Sequence, residues 1–244
     1  MFRLISPSKL GRLVTITVAV QILTLALSYV LWISDGCDPL VPFISDTDTN
    51  PASSWAFTAG FTITGILMMT LSIQFYLLRG KWSRENPDSG IEKLNLISTI
   101  SALLSGFCLI WISHTPWHIS MGLHMIQARV IFGGTITWAI LSTIIARRMS
   151  EVDVGFSGLY SSRRNWTIFS LASLLALSVS VFSYAGFSLS IPAGHMGVVL
   201  ECSDLGAPSL SIAAFFEWIM VIGFAGVSYT GVEEALQMDG ERQQ

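Results

Sequence analysis

Charge is scarce in this chain of 244 residues: Asp, Glu, Lys and Arg together make up 12%, where a soluble domain carries about 25%. The shortage is uneven, with short charged blocks separating long uncharged runs, and this excludes an ordinary water-soluble globule. A basic surface is also missing. The net charge is −3 and the Lys and Arg residues are scattered, which excludes nucleic acid as a partner. Cysteine is limited to three residues without metal-type spacing. No Walker, Rossmann, G-x-S-x-G or H-E-x-x-H pattern occurs, so no cofactor is expected.

What is present is apolar: 52% of residues are hydrophobic. Six stretches reach the ~20 residues needed to cross a bilayer, at 13–33, 55–78, 94–112, 119–146, 166–191 and 209–232. Backbone groups in hydrocarbon need partners within their own segment, which makes each stretch a helix. The polar/apolar alternation of barrel strands is absent. The expected fold is therefore all-α, a polytopic six-helix transmembrane bundle forming a single membrane domain over 1–244. The connections 79–93 and 147–165 read as surface loops. In the second, Phe156, Leu159 and Tyr160 lie either in the headgroup layer or in solvent.

Lys and Arg distribution orients the bundle. Arg3, Lys9 and Arg12 precede the first span, and Arg79, Lys81, Arg84 and Lys93 separate the second from the third. Arg147, Arg148, Arg163 and Arg164 separate the fourth from the fifth, and Arg242 follows the sixth. The alternate connections contain no basic residue, holding Asp35, Asp38, Asp46, Asp48, Glu201 and Asp204 instead. The positive-inside rule makes the basic side, with both chain ends, cytoplasmic. The first span reads as a retained signal anchor, because its apolar run is long and no A-x-A site follows. Cys37 and Cys202 then share the outer side, where they form either a disulfide or two free thiols near the interface. Cys108 falls within the third span.

Ionisable groups inside the spans cost about 2.5–3.5 kcal/mol at mid-helix, so Arg129 and Glu217 demand a reason. Arg129 is roughly 15 Å and Glu217 roughly 12 Å below the outer helix ends at 1.5 Å per residue, with His124 above Arg129. They read either as an ion pair locking the fourth and sixth spans or as a polar pocket, His124–Arg129–Glu217, open to a lipid headgroup. His114, His118 and His124 supply the donor type zinc takes, a weaker alternative because Pro116 sits between the first two. Asp46-Thr47-Asp48-Thr49-Asn50 opens like a calcium loop, but Pro51 stands where glycine is required and Phe57 where the bidentate Glu belongs. Small residues recur every four positions at Ser98, Ala102 and Gly106 and at Ala172, Ala176 and Ser180, as in helix contacts. Trp32, Trp55, Trp111, Trp117 and Trp166 lie near span ends, where an aromatic belt is expected.

The outer connection reads Pro42-Phe43-Ile44-Ser45-Asp46-Thr47, with Pro42 and Pro51 stiffening it and Ser45, Asp46 and Thr47 able to bond nearby backbone. It is either a cap over the bundle or a well-turned connector. This segment, His124 early in the fourth span, and Phe216-Glu217-Trp218 in the sixth resemble the Frag/DRAM/Sfk membrane family. That family includes the damage-regulated autophagy modulators and the N-terminal region of the fungal Cwh cell-wall protein. Arg129 has no counterpart in the autophagy modulators. The resemblance implies six spans and a lipid-associated role in autophagy, GPI-anchor remodelling or membrane-lipid organisation, at the plasma membrane or an endomembrane such as lysosome or Golgi. The reading that follows is non-enzymatic: binding or organising membrane lipids, or regulating a lipid-handling or autophagy membrane-protein partner. The alternatives are an intramembrane lipid-remodelling enzyme acting on a GPI anchor or phospholipid and, less favoured, a transporter, for which matched broken helices are lacking.

Overall fold

A computed structural model describes residues 4–185 and 208–240. It is helical throughout: α1 Pro7–Ser34, α2 Pro51–Glu85, α3 Glu92–Ile112, α4 Trp117–Val152, α5 Ser157–Ala185, α6 Pro208–Tyr229 and α7 Gly231–Gly240, with short 3-10 turns at Ile44–Asp48, Pro87–Ser89 and Val154–Phe156. Among the described residues six helices are long and apolar enough to cross a membrane, with mean hydropathy between 1.5 and 2.1 over their best windows. Successive helices pack as neighbours, and α6 and α7 return to α1, closing the ring.

The polarity of the bundle is inverted, as hydrocarbon solvent requires. On α1, Thr17, Gln21, Thr24 and Ser28 are buried, while Ile16, Leu23, Leu27 and Val30 are exposed. Buried hydroxyls are satisfied by the preceding turn: Thr17 donates to the Leu13 carbonyl, Thr64 to Gly60 and Ser72 to Met68. Small residues set the closest approach. A Cβ on Gly65 of α2 would come within 2.7 Å of the Gly106 carbonyl on α3, so side-chain-free positions let these backbones touch. The Ser98–Ala102–Gly106 stripe is buried as expected. On α5 the contact face is different: Ala172 is exposed, and Thr167, Ser170, Ser173 and Leu177 face inward. The reason is the partner's shape, since Gly223 and Gly226 on α6 receive Ser170 and Trp166.

The helices outrun the expected spans at the basic end. At 36 residues α4 is about 54 Å long, against ~30 Å of hydrocarbon. Residues 79–85 and 147–152 are helical rather than loop, and their projecting turns carry the i,i+4 pairs Lys81–Glu85 at 3.5 Å and Arg147–Glu151 at 3.0 Å. Both readings of 147–165 are corrected. Its middle is a tight 3-10 turn, with the Asp153 carboxylate accepting from the Gly155 N–H at 2.8 Å. Phe156 and Leu159 are buried with Leu10, Leu78, Trp82, Ile145 and Met149 in the largest apolar cluster of the molecule. The aromatic-belt reading also divides: Trp55, Trp111 and Trp166 are exposed, but Trp32 and Trp117 are buried against Leu210 and Ala214. The outer end of the fifth span, 186–191, lies outside the described residues, as do Glu201, Cys202 and Asp204.

Candidate functional site

Two polar constructions sit at opposite ends of the bundle. The outer one begins where α1 stops. Gly36 takes φ +86, a left-handed conformation that glycine adopts without penalty. Its N–H bonds the Ile33 carbonyl and that of Cys37 the Trp32 carbonyl, closing the helix as a Schellman motif. The chain turns back over the bundle, and α1 holds it there. Tyr29 Oη donates to the Pro39 carbonyl at 2.5 Å and Trp32 Nε1 to that of Asp38 at 3.2 Å. The far end is fixed by Asn50, whose side chain accepts from the Ala52 N–H at 2.7 Å and caps α2, with Pro51 in the first turn.

Between these anchors, the Ile44–Asp48 turn is sunk into the bundle. Asp46 is 2% and Thr47 0% exposed, which makes this segment a docked cap. Glu217 of α6 holds it, its Oε2 accepting from the Ile44 N–H at 2.7 Å. Asp46 Oδ2 accepts from the preceding Phe43 N–H at 3.0 Å. Trp218 Nε1 donates to the Pro42 carbonyl at 2.8 Å, and its ring packs edge-on to Tyr29 at 5.5 Å. Thr47 Oγ1 donates to the Ile44 carbonyl and Ser53 to that of Thr47. The Glu-Trp pair and the Pro-Phe-Ile-Ser-Asp-Thr segment thus answer one another: two side chains of α6 satisfy two otherwise orphaned backbone groups of the cap.

Two carboxyl groups on adjacent backbone N–H groups repel when both are ionised. Burial pushes the Asp46 carboxyl up to about 8, and Glu217 adds to the shift; the Phe43 N–H and Trp117 work against it. Burial also raises Asp48 to about 7. A carboxyl raised in the folded state stabilises the fold fully below its unfolded value, and that contribution is lost as pH rises through the folded value. The cap should therefore loosen progressively as pH rises from about 4 to about 8, with the loss complete above the folded values. Hydrogen exchange over residues 43–49, corrected for intrinsic base catalysis, should accelerate across this interval. Asp46→Asn should remove most of the acceleration; an unchanged profile in wild type would refute the assignment.

The inner construction joins five helices. Arg79 of α2 and Arg163 of α5 converge on Glu234 of α7, and all three are buried. Arg79 makes a two-pronged contact, Nε to Oε1 at 2.6 Å and Nη2 to Oε2 at 2.9 Å, the fork geometry that favours arginine. Arg163 Nη2 reaches Oε2 at 2.8 Å and its Nε reaches Thr230 Oγ1 at 2.8 Å. Ser142 of α4 adds its carbonyl to Arg163 and its hydroxyl to Arg79, and bonds Ser98 of α3 at 3.3 Å. The Arg79 guanidinium also lies over the Phe75 ring, 5.3 Å from its centroid.

The residues singled out from sequence fare differently. Glu217 is the clasp of the cap. His124 is buried, with Nδ1 3.0 Å from the Thr115 carbonyl, and joins the α3–α4 turn rather than Glu217. Arg129 lies on the exposed face of α4 and forms no ion pair among the described residues. In place of the expected Arg129–Glu217 lock, Glu217 is satisfied by a backbone N–H. His114 is exposed and pairs with Thr62 Oγ1 at 3.1 Å, while α4 breaks from helical geometry at Ser120 between His118 and His124. Among the described residues no group of three His, Cys, Asp or Glu could hold a metal ion, which corrects the zinc alternative. Cys37 is buried beside Asn50; its proposed partner Cys202 lies outside the described residues.

Six apolar helices, a polar interior and plugs of buried polar contacts at each end define a multi-pass membrane protein. The chain belongs to the Frag1/DRAM/Sfk1/Cwh43P N-terminal domain family, whose model matches residues 10–232. That span includes the outer cap, Glu217 and the Arg79–Arg163 pair, and stops two residues before Glu234. No curated protein and no solved structure matches the chain.

Proposed function

We propose that this protein is a non-enzymatic member of its family that binds or organises membrane lipid, or regulates a lipid-handling or autophagy membrane partner, with its basic face and both chain ends toward the cytoplasm. One observation carries the non-enzymatic reading. Glu217, the carboxylate whose depth in the sixth span demands a reason, is buried and engaged with the Ile44 backbone N–H. A general acid or base needs reach to a substrate proton, and Glu217 is committed to the fold instead. The orientation rests on the basic residues at one end of the bundle. The lipid role rests on family membership and on the apolar belt around every spanning helix.

The test is reconstitution of the purified protein in nanodiscs containing phospholipid and a GPI-anchored reporter. The expected outcome is selective lipid retention with no change in lipid or anchor composition over hours. Protein-dependent turnover would overturn the non-enzymatic reading. Single-cysteine labelling at positions 93 and 40 should report opposite sides of the membrane, with 93 cytoplasmic.

A further inference from the structure

At the basic end, α1 and α7 leave a groove of about 510 Å³ between them, lined by Ser8, Gly11, Arg12, Thr15, Ile16, Val232 and Leu236. Its two walls follow from helix periodicity. Residues 8, 11, 12, 15 and 16 recur at the i, i+3, i+4, i+7 spacing of one α1 face, and Val232 and Leu236 are an i, i+4 pair on α7. Polarity is graded along the groove. Ser8 and Arg12 stand at the mouth with Lys9 within a turn of them, and all three are exposed; Ile16, 52% exposed, lies deeper on α1, and the α7 wall runs alongside from Val232, opposite Gly11, to the 54% exposed Leu236 toward the mouth. Neither Lys9 nor Arg12 forms an ion pair among the described residues. On α7, Glu234 is bound by two arginines and Glu233 accepts from Gln237 at 3.2 Å. Gly11 supplies the floor. A Cβ there would meet only Val232 at 3.7 Å, so the space above it is open because a side chain is missing.

We infer that this groove is a binding site for an anionic glycerophospholipid of the leaflet at the basic end, with its phosphate at Arg12, Lys9 and Ser8 and an acyl chain along Ile16, Val232 and Leu236. Charge complementarity selects the class. Two unpaired cations above an apolar slot attract an anionic headgroup, whereas a zwitterionic lipid offers them no net charge. The slot in turn separates a lipid from a soluble phosphate, which would gain nothing from Ile16 and Leu236. The inference rests on the lipid-binding reading above and adds a location, a headgroup charge and a leaflet to it.

The experiment uses the full chain in non-ionic detergent micelles doped with dioleoyl phosphatidylserine or dioleoyl phosphatidylcholine, with retained lipid counted by native mass spectrometry. Wild type should retain the serine lipid at least fivefold better than the choline lipid. Arg12→Gln should reduce this about fivefold, the effect of one basic residue near an anionic headgroup. Gly11→Leu, projecting toward Val232, should abolish retention without changing the thermal unfolding profile. Leu236→Trp blocks the groove from the opposite wall and decides the matter if the Gly11 variant does not fold. Chain-less glycerophosphoserine should not compete. Retention that survives both blocking variants while Arg12→Gln loses it would overturn the groove in favour of plain surface attraction. Equal retention of both lipids would overturn the headgroup assignment. Failure to retain any lipid would overturn the lipid-binding reading as well.

Discussion

Glu234→Ala is expected to destabilise the detergent-solubilised protein by about 3–5 kcal/mol, the cost of breaking a buried ion pair from one side. The substitution removes the carboxylate that both Arg79 and Arg163 contact and leaves two guanidinium groups in a site with 3% and 2% exposure. Loss of the monodisperse peak in size-exclusion chromatography, or a large fall in unfolding temperature, would report it. Glu234→Gln keeps an acceptor but not the charge and should fall between. The informative control replaces the whole cluster: Arg79→Met and Arg163→Met with Glu234→Leu. Removing all three charges together should be far milder than removing one, because no uncompensated ion remains. A full-cluster variant as damaged as Glu234→Ala would show that the site matters for something other than charge balance.

The second large effect lies at the opposite end. Glu217→Leu takes the acceptor from the buried Ile44 N–H, and an unsatisfied buried donor costs about 1–3 kcal/mol. The loss should be local first: hydrogen exchange over residues 43–49 should rise steeply, while exchange in the middle of α3 changes little. Glu217→Gln retains an acceptor and removes the charge beside Asp46, so its cap should stay closed and lose much of its alkaline sensitivity. If Glu217→Leu left exchange in the cap unchanged, the clasp assigned to α6 would be wrong.

Much of this architecture is legible in the sequence. Hydrocarbon length, the confinement of Lys and Arg to alternate connections and the absence of strand alternation dictate six helices. The outer segment was recognisable too, and Asn50-Pro51 is a helix-start signal in plain view. What escaped was partnership. Glu217 invites pairing with Arg129 because both are charges at similar depth, yet a carboxylate can equally be satisfied by a backbone N–H, and no sequence pattern signals that choice. Arg79 and Arg163 were hidden differently. Their positions flanking the spans carry the orientation signal, and nothing in their spacing marks them as a buried pair. The clue was continuity: 147–165 contains Phe156, Leu159 and Tyr160, an apolar load that a solvated loop has no reason to carry. Helices projecting past the hydrocarbon bury those residues and, with them, the arginines.

The order in which the inner cluster is assembled has a consequence for biogenesis. A ribosome delivers Arg79 first and Arg163 much later, and both wait in the inserted intermediate without the carboxylate they finally share. Glu234 emerges only after the preceding spanning segments, and only then can α2, α4, α5 and α7 seal against one another. A premature stop codon shortly before position 234, though it spares every spanning segment, would yield a product that quality control sees as never completed.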